Sequence, residues 1–266
     1  MNSSVGAGAG TLDVPRDLTD KVGLVTGGSV GIGFATAREL GRRGAKVAIS
    51  SYDAAKVRQA EHELASEGIE TYSTASDFRN PADVDSLHQR VVERFGPVDI
   101  LVNCAALRSK LPAIEVTHEL WNDVIGVNLR APVFLSALVC PAMMARHSGK
   151  IINVVSILES RAAPARLPYA VSKAGLAAAT RSLALEMAGF NVQVNAVAPG
   201  LVMTPALEPG SEDEKRQLDR TVSERIPMGR VATAAEVAQL IGFLACPSSD
   251  YITGQVFYID GGMTLR

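Results

Sequence analysis

Hydrophobic residues along this chain fall into short β-forming runs, separated by longer stretches in which apolar positions recur every three to four residues. Val22-Gly-Leu-Val-Thr26 is the first run; Gly27-Gly-Ser-Val-Gly-Ile-Gly33 follows it, and Phe34 to Arg43 then takes helical spacing. Ala45 to Ser50 forms a second buried-type strand, and the charged segment 54–66 a second helix. The alternation continues with strands near Ile69 to Thr74, Val98 to Val102, Ile151 to Val155, Val192 to Val197 and Val256 to Ile259. Helices at about 82–95, 118–145, 168–188 and 233–245 fill the intervals. Seven β-rich runs alternating with helix-length segments predict an α/β fold with right-handed crossovers. Its sheet is seven-stranded, parallel and doubly wound, with helices on both faces.

One interval breaks the rhythm. Between Gly200 and Ala234 lie prolines, glycines and the charged run Ser211-Glu-Asp-Glu-Lys-Arg216, a pattern that predicts a substrate lid over residues 201–232. Residues 1–20, rich in glycine and serine near the start, read as a flexible tail, leaving 21–266 as one catalytic domain. The tail lacks the basic start and long apolar stretch of a secretion signal. Charges or glycines interrupt the other apolar stretches, so no membrane span is expected.

Composition narrows the function classes. The chain is 47% hydrophobic and 20% charged with a formal net charge of -2, so nothing in its electrostatics favours nucleic acid or anionic membrane as partner. Cys104, Cys140 and Cys246 are odd in number and far apart, which suggests neither a disulfide framework nor a metal site and fits a reducing cytoplasm.

The glycine turn sits where a dinucleotide-binding fold needs it, after the first strand and opening a helix. Gly27 permits a sharp turn, Gly31 lets a pyrophosphate approach the backbone, and Gly33 lets the helix pack on the sheet while its first amides face anionic oxygens. An acid at the end of the second strand often holds the adenosine ribose, but Ser51 and Tyr52 stand there instead. Small hydroxyl groups leave room for a 2′-phosphate, so the reading leans to NADP(H) over NAD(H), although Asp53 is near and no arginine follows the strand directly.

Catalytic chemistry is suggested by Tyr169 and Lys173, one helical turn apart, with Ser156 thirteen residues upstream of the tyrosine. A cation beside the phenol favours the tyrosinate and would draw the pKa down from its usual value of about 10, making Tyr169 a general acid or base. Asn128 lies four residues before Pro132, which cannot donate to its carbonyl, so the helix is expected to kink there and free that carbonyl.

Together these motifs resemble the short-chain dehydrogenase/reductase family in its compact single-domain form, over roughly residues 20–266. The resemblance rests on Thr26-Gly-x-x-x-Gly-x-Gly33, Asp77, Asn103-Cys-Ala-Ala106, Asn128, Ser156, Tyr169, Lys173, Pro199-Gly200 with Thr204, and the ending Thr253 to Gly262. It implies a Rossmann fold and a catalytic set of Asn128, Ser156, Tyr169 and Lys173. It also implies cofactor contacts from Gly27, Ser29, Val30, Gly31, Ile32 and Gly33, from Ser51 and Tyr52, and from Asp77 and Phe78 at the adenine. Asn103, Ala105, Tyr169, Lys173, Pro199, Gly200, Val202 and Thr204 complete that set towards the nicotinamide. Tyr169 would exchange a proton with the substrate oxygen, Ser156 would hydrogen-bond that oxygen, and Lys173 would lower the tyrosine pKa. Two stretches depart from the usual family pattern: Cys104 and Ala106 replace an asparagine and a glycine, and Val155 replaces a serine.

The expected activity is NAD(P)(H)-dependent interconversion of a secondary alcohol and a ketone, on a small-molecule substrate that the sequence does not identify. Arg108 or Arg161 would pair with a carboxylate or a hydroxyl-rich substrate if it faces the cavity. The resemblance also implies a homotetramer. Competing readings are an inactive cofactor-binding regulator, which predicts damage to a catalytic set that is intact here, and a sugar-nucleotide-modifying relative, which would carry a larger C-terminal region. An enoyl reductase of the related type would space its tyrosine and lysine more widely.

Overall fold

In the computed structural model, which describes residues 15–266, the apolar runs form a seven-stranded parallel sheet in the order β3-β2-β1-β4-β5-β6-β9. The strands are β1 (Val22–Thr26), β2 (Lys46–Ser51), β3 (Thr71–Ala75), β4 (Ile100–Asn103), β5 (Gly149–Val154), β6 (Val192–Pro199) and β9 (Val256–Ile259). Between them run α1 (Gly31–Arg42), α2 (Ala54–Ser66), α3 (Ala82–Phe95), α4 (His118–Ile125), α5 (Ala131–Ala145), α6 (Leu167–Met187) and α8 (Ala234–Ala245).

Alternation along each strand sends side chains to opposite faces. Val25, Val47, Ile49, Val102 and Ile152 join α1, α2 and α8 through Leu40, Leu64 and Ile241. Their neighbours Leu24, Ala48, Leu101 and Ile151 face the other way and pack with Leu87 of α3, Val139 of α5 and Met187 of α6. Both faces are therefore covered, as parallel pairing requires. In register, Thr26 of β1 stands level with Ser50 of β2 and Asn103 of β4, so the chain leaves these strands at one height. Strand order reverses between β1 and β4, the place where such sheets open a crevice at their carboxyl ends.

The structure adds detail to three expectations. Most of the expected tail lies outside the described residues, but Leu18 is only 1% exposed and its amide donates to the Arg43 carbonyl, so the packed domain begins before residue 21. The stretch His118–Ala145 is long and apolar enough to cross a bilayer by length and composition, yet half of its most apolar 18-residue window is buried here, with Leu135, Val139 and Met143 in the core. The interval 201–232 carries regular structure: a two-stranded parallel ribbon of β7 (Val202–Met203) with β8 (Ala232–Thr233), and the helix α7 (Glu212–Arg225). Ser211 caps α7 by accepting from the Glu214 amide, and Glu212, Asp213 and Glu214 suit the positive helix end. No residue of α7 is buried.

Candidate active site

Segments leaving the carboxyl ends of β1 to β6 converge on a cleft of about 630 Å3. The glycine turn forms its floor. Gly27 and Gly31 adopt φ of +67° and +57°, which favour glycine, and a Cβ on Gly33 would stand 2.1 Å from the Gly27 carbonyl oxygen. Val30 caps α1 without a side-chain hydrogen bond, leaving the first amides of the helix to a ligand. The Cys104 and Ala105 amides both donate to Thr26 Oγ1, at 3.0 and 3.1 Å, so backbone contacts hold the β4 exit despite its departures from the family pattern.

At the adenosine end, Ser29 Oγ donates to Ser51 Oγ at 3.0 Å. The neighbouring Asp53 is occupied elsewhere, because its carboxylate accepts the Ala55 and Lys56 amides and caps α2. Asp77 lines the cleft, and the Arg79 guanidinium that hydrogen-bonds it holds its carboxyl below the usual range. Ser76 and Thr204 also line the cleft, and each buries a hydroxyl with no protein partner. These unsatisfied groups, the exposed helix amides and the glycine floor fit a dinucleotide lying from Asp77 to Thr204.

Tyr169 lies in the first turn of α6, and Lys173 follows one turn later, only 2% exposed. Lys173 Nζ donates to the Val154 carbonyl at 2.7 Å and sits 5.7 Å from the centroid of the Tyr169 ring. Ser156 holds the entry to a 3-10 turn by accepting the Leu158 amide at 3.2 Å, and its hydroxyl faces the Tyr169 phenol, whose ionised form it favours. Val155 points into a core cluster with Leu176 and Ala196.

The electrostatics differ from expectation. Burial raises the Tyr169 pKa above its usual value, and the cations that oppose this are Arg108 and then Arg166, not Lys173. Burial likewise brings Lys173 down to about 8 and pushes the Cys104 thiol up to about 11. Desolvation wins because each group gives up water without gaining a close opposite charge.

Two expected residues do not reach the cleft. Asn103 is 2% exposed and turned into the sheet, where Nδ2 donates to Asn153 Oδ1 at 2.8 Å and ties β4 to β5. Asn128 is fully buried: Oδ1 accepts the Leu107 amide at 2.7 Å, and Nδ2 donates to the Leu107 carbonyl and to Ser172 Oγ. The expected disturbance near Pro132 takes the form of a π-turn over Gly126–Arg130, and Asn128 lies inside it. The remaining expected positions, Gly27 to Gly33 without Gly28, Ser51, Tyr52, Asp77, Phe78, Ala105, Ser156, Tyr169, Lys173, Pro199, Gly200, Val202 and Thr204, all line the cleft. Arg108 lines it too, whereas Arg161 turns away to the carbonyl of Arg266. Ser76, Arg79 and Val154 were missed. Only Arg79 had a sequence signal, its place two residues after Asp77.

Residues 27–264 match a family model described as enoyl-(acyl carrier protein) reductase. The 5-keto-D-gluconate 5-reductase of Escherichia coli K12 is 33% identical over 240 residues, covering 90% of this chain and 94% of the relative. The 3-oxoacyl-(acyl-carrier-protein) reductase FabG of Thermotoga maritima is 35% identical over 248 residues, covering 93% and 99%. The chain belongs to the short-chain dehydrogenase/reductase family. A crystal structure of an actinorhodin polyketide ketoreductase with NADPH superposes on this dehydrogenase/reductase with a TM-score of 0.86 at 33% identity, over 91% of this chain and 97% of that one. The protein is an NAD(P)-dependent oxidoreductase acting between keto and alcohol groups.

Proposed function

We propose that this enzyme reduces a ketone to a secondary alcohol with NADPH as donor, and that Tyr169 delivers the proton. The observation that carries this reading is the single wall on which Ser156, Tyr169 and Lys173 meet beside the glycine floor. When bound, the nicotinamide supplies a hydride to the carbonyl carbon. The Ser156 hydroxyl donates to the carbonyl oxygen and stabilises the charge that grows there. Burial keeps the Tyr169 phenol protonated at neutral pH, the form needed to donate to that oxygen. As the proton leaves, the positive charges of Arg108 and Arg166 stabilise the tyrosinate that remains. Asn128 acts at one remove, fixing the Leu107 backbone at the cleft edge.

The choice of NADP(H) is supported by the Ser29–Ser51 hydroxyl pair, by the engagement of Asp53 as a helix cap, and by the NADPH of the similar ketoreductase. The names of the two relatives, both reductases of keto compounds, favour ketone over enoyl reduction. A homotetramer is supported by exposed Phe134 on α5 and Leu185 on α6, and a reducing cytoplasm by three unpaired cysteines.

Replacing Tyr169 by Phe tests the mechanism. Turnover of an accepted ketone is expected to fall about 100- to 10,000-fold while NADPH affinity, read by fluorescence titration, stays within about twofold. A variant that keeps a tenth of wild-type turnover rules out Tyr169 as the proton donor.

A further inference from the structure

We propose that the ketone accepted by this enzyme carries a carboxylate, and that Arg108 binds that carboxylate beside the reacting carbonyl. The proposal rests on the reductase reading above and adds a substrate class to it.

The chain on both sides of Arg108 is pinned. Leu107 exchanges two hydrogen bonds with the fully buried Asn128 side chain, at 2.7 and 3.0 Å. The Ser109 carbonyl accepts from Arg166 Nη1 at 2.7 Å, and the Leu111 amide donates to the Ala165 carbonyl at 3.0 Å. The loop after β4 is thus tied to the π-turn before α5 and to the segment that leads into α6. Arg166 itself stands at the N-terminus of α6, the electrostatically unfavourable helix end for a cation, and its bond to Ser109 accounts for its place there. The loop presents Arg108 at a fixed position on the cleft wall.

Among the described residues no hydrogen-bond or ion-pair partner engages the guanidinium it presents. Arg108 lines the cleft with Tyr169 and Lys173, and its charge acts on both and on Cys104. Among the described residues no carboxylate pairs with it, and of the arginines that line the cleft Arg79 is held by Asp77 while Arg108 is free for a ligand. Acids near the cleft are committed elsewhere: Asp77 lies at the adenosine end on Arg79, and Glu159 accepts from the Tyr258 hydroxyl outside the cleft. The substrate end therefore holds Lys173 and Arg108, with Arg166 behind them, and no acid to balance them. Arg108 is exposed at the cleft mouth, where like charges repel, and an anion seated on it relieves that repulsion. A planar fork of donors suits a carboxylate bound through both oxygens. The diphosphate of the cofactor has its own partners in the α1 amides, beyond the glycine turn.

The test uses ketones in matched pairs that differ only in a carboxylate against a hydroxymethyl group: 5-keto-D-gluconate with L-sorbose, and 3-oxobutanoate with 4-hydroxy-2-butanone. In wild-type enzyme with NADPH, kcat/KM for the acid of an accepted pair is expected to exceed that of its neutral partner about 10- to 100-fold. Arg108→Gln should collapse that ratio to within about threefold, Arg108→Lys should keep part of it, and NADPH affinity should stay unchanged in both. Equal use of acid and neutral ketone by the wild type overturns the proposal, as does a ratio that survives Arg108→Gln. Loss of NADPH affinity with the ratio intact also overturns it, because the cation would then serve the cofactor. A binding arm separates the two readings, using the same ligands titrated into NADPH-loaded Tyr169→Phe enzyme. If no ketone is reduced but the acids still bind more tightly in an Arg108-dependent way, the reductase reading falls and the anion site stands.

Discussion

Replacing Lys173 by Met should stabilise the folded enzyme at neutral pH while abolishing its activity. The ammonium is 2% exposed, and burial takes its pKa from an ordinary 10.5 down to about 8. A lowered lysine pKa means that the charged form is penalised in the folded state. The penalty is present in full below about pH 8 and is relieved as pH rises towards 10.5, where the unfolded chain also loses its proton. At pH 7 the gap corresponds to about 3 kcal/mol, and by pH 10 it shrinks below about 1 kcal/mol. Methionine has similar length and no charge, but it leaves the Val154 carbonyl without the donor that Lys173 Nζ supplies at 2.7 Å, a loss of about 1–2 kcal/mol. The net expectation is a gain of about 1–2 kcal/mol at pH 7 and a loss of at most about 1 kcal/mol at pH 10. Denaturant unfolding of both proteins at the two pH values, at one protein concentration, reads the difference directly, because contributions common to both cancel. An effect of Lys173→Met that does not fall by about 2 kcal/mol between pH 7 and pH 10 refutes the reasoning.

At the adenosine end, Ser51→Asp should place a carboxylate where a 2′-phosphate would lie, lowering kcat/KM for NADPH about 100-fold while sparing NADH. A wild-type enzyme that already prefers NADH, or a variant with an unaltered ratio, contradicts the NADP(H) assignment. Light scattering coupled to size exclusion should return four times the 28.0 kDa chain mass, and a monomer would discard the tetramer.

Short-range patterns along the chain determined much of this protein. Alternating apolar residues such as Leu24 and Val25 specify a strand buried on both faces wherever it is placed, and the four-residue step from Tyr169 to Lys173 specifies one helix face. The glycine spacing from 27 to 33 is legible because only glycine fits there; a Cβ at Gly33 meets the Gly27 carbonyl in the same turn. What the tertiary structure decided depends on distance through space. Asn103 and Asn128 look alike in sequence as polar residues beside a site, yet burial makes one a link between strands and the other a clamp on Leu107. The direction of the Tyr169 shift could not be read from Lys173, four residues away, because desolvation sets it against the opposing charge of Arg108. Ser76 and Thr204 become visible as ligand groups only once their hydroxyls are seen buried and unpartnered. Arg108 gains its meaning from Asn128 and Arg166, both far along the chain, which hold the loop that presents it. Covalent neighbours set periodicity and local sterics, but solvation and electrostatics belong to neighbours that only folding brings together.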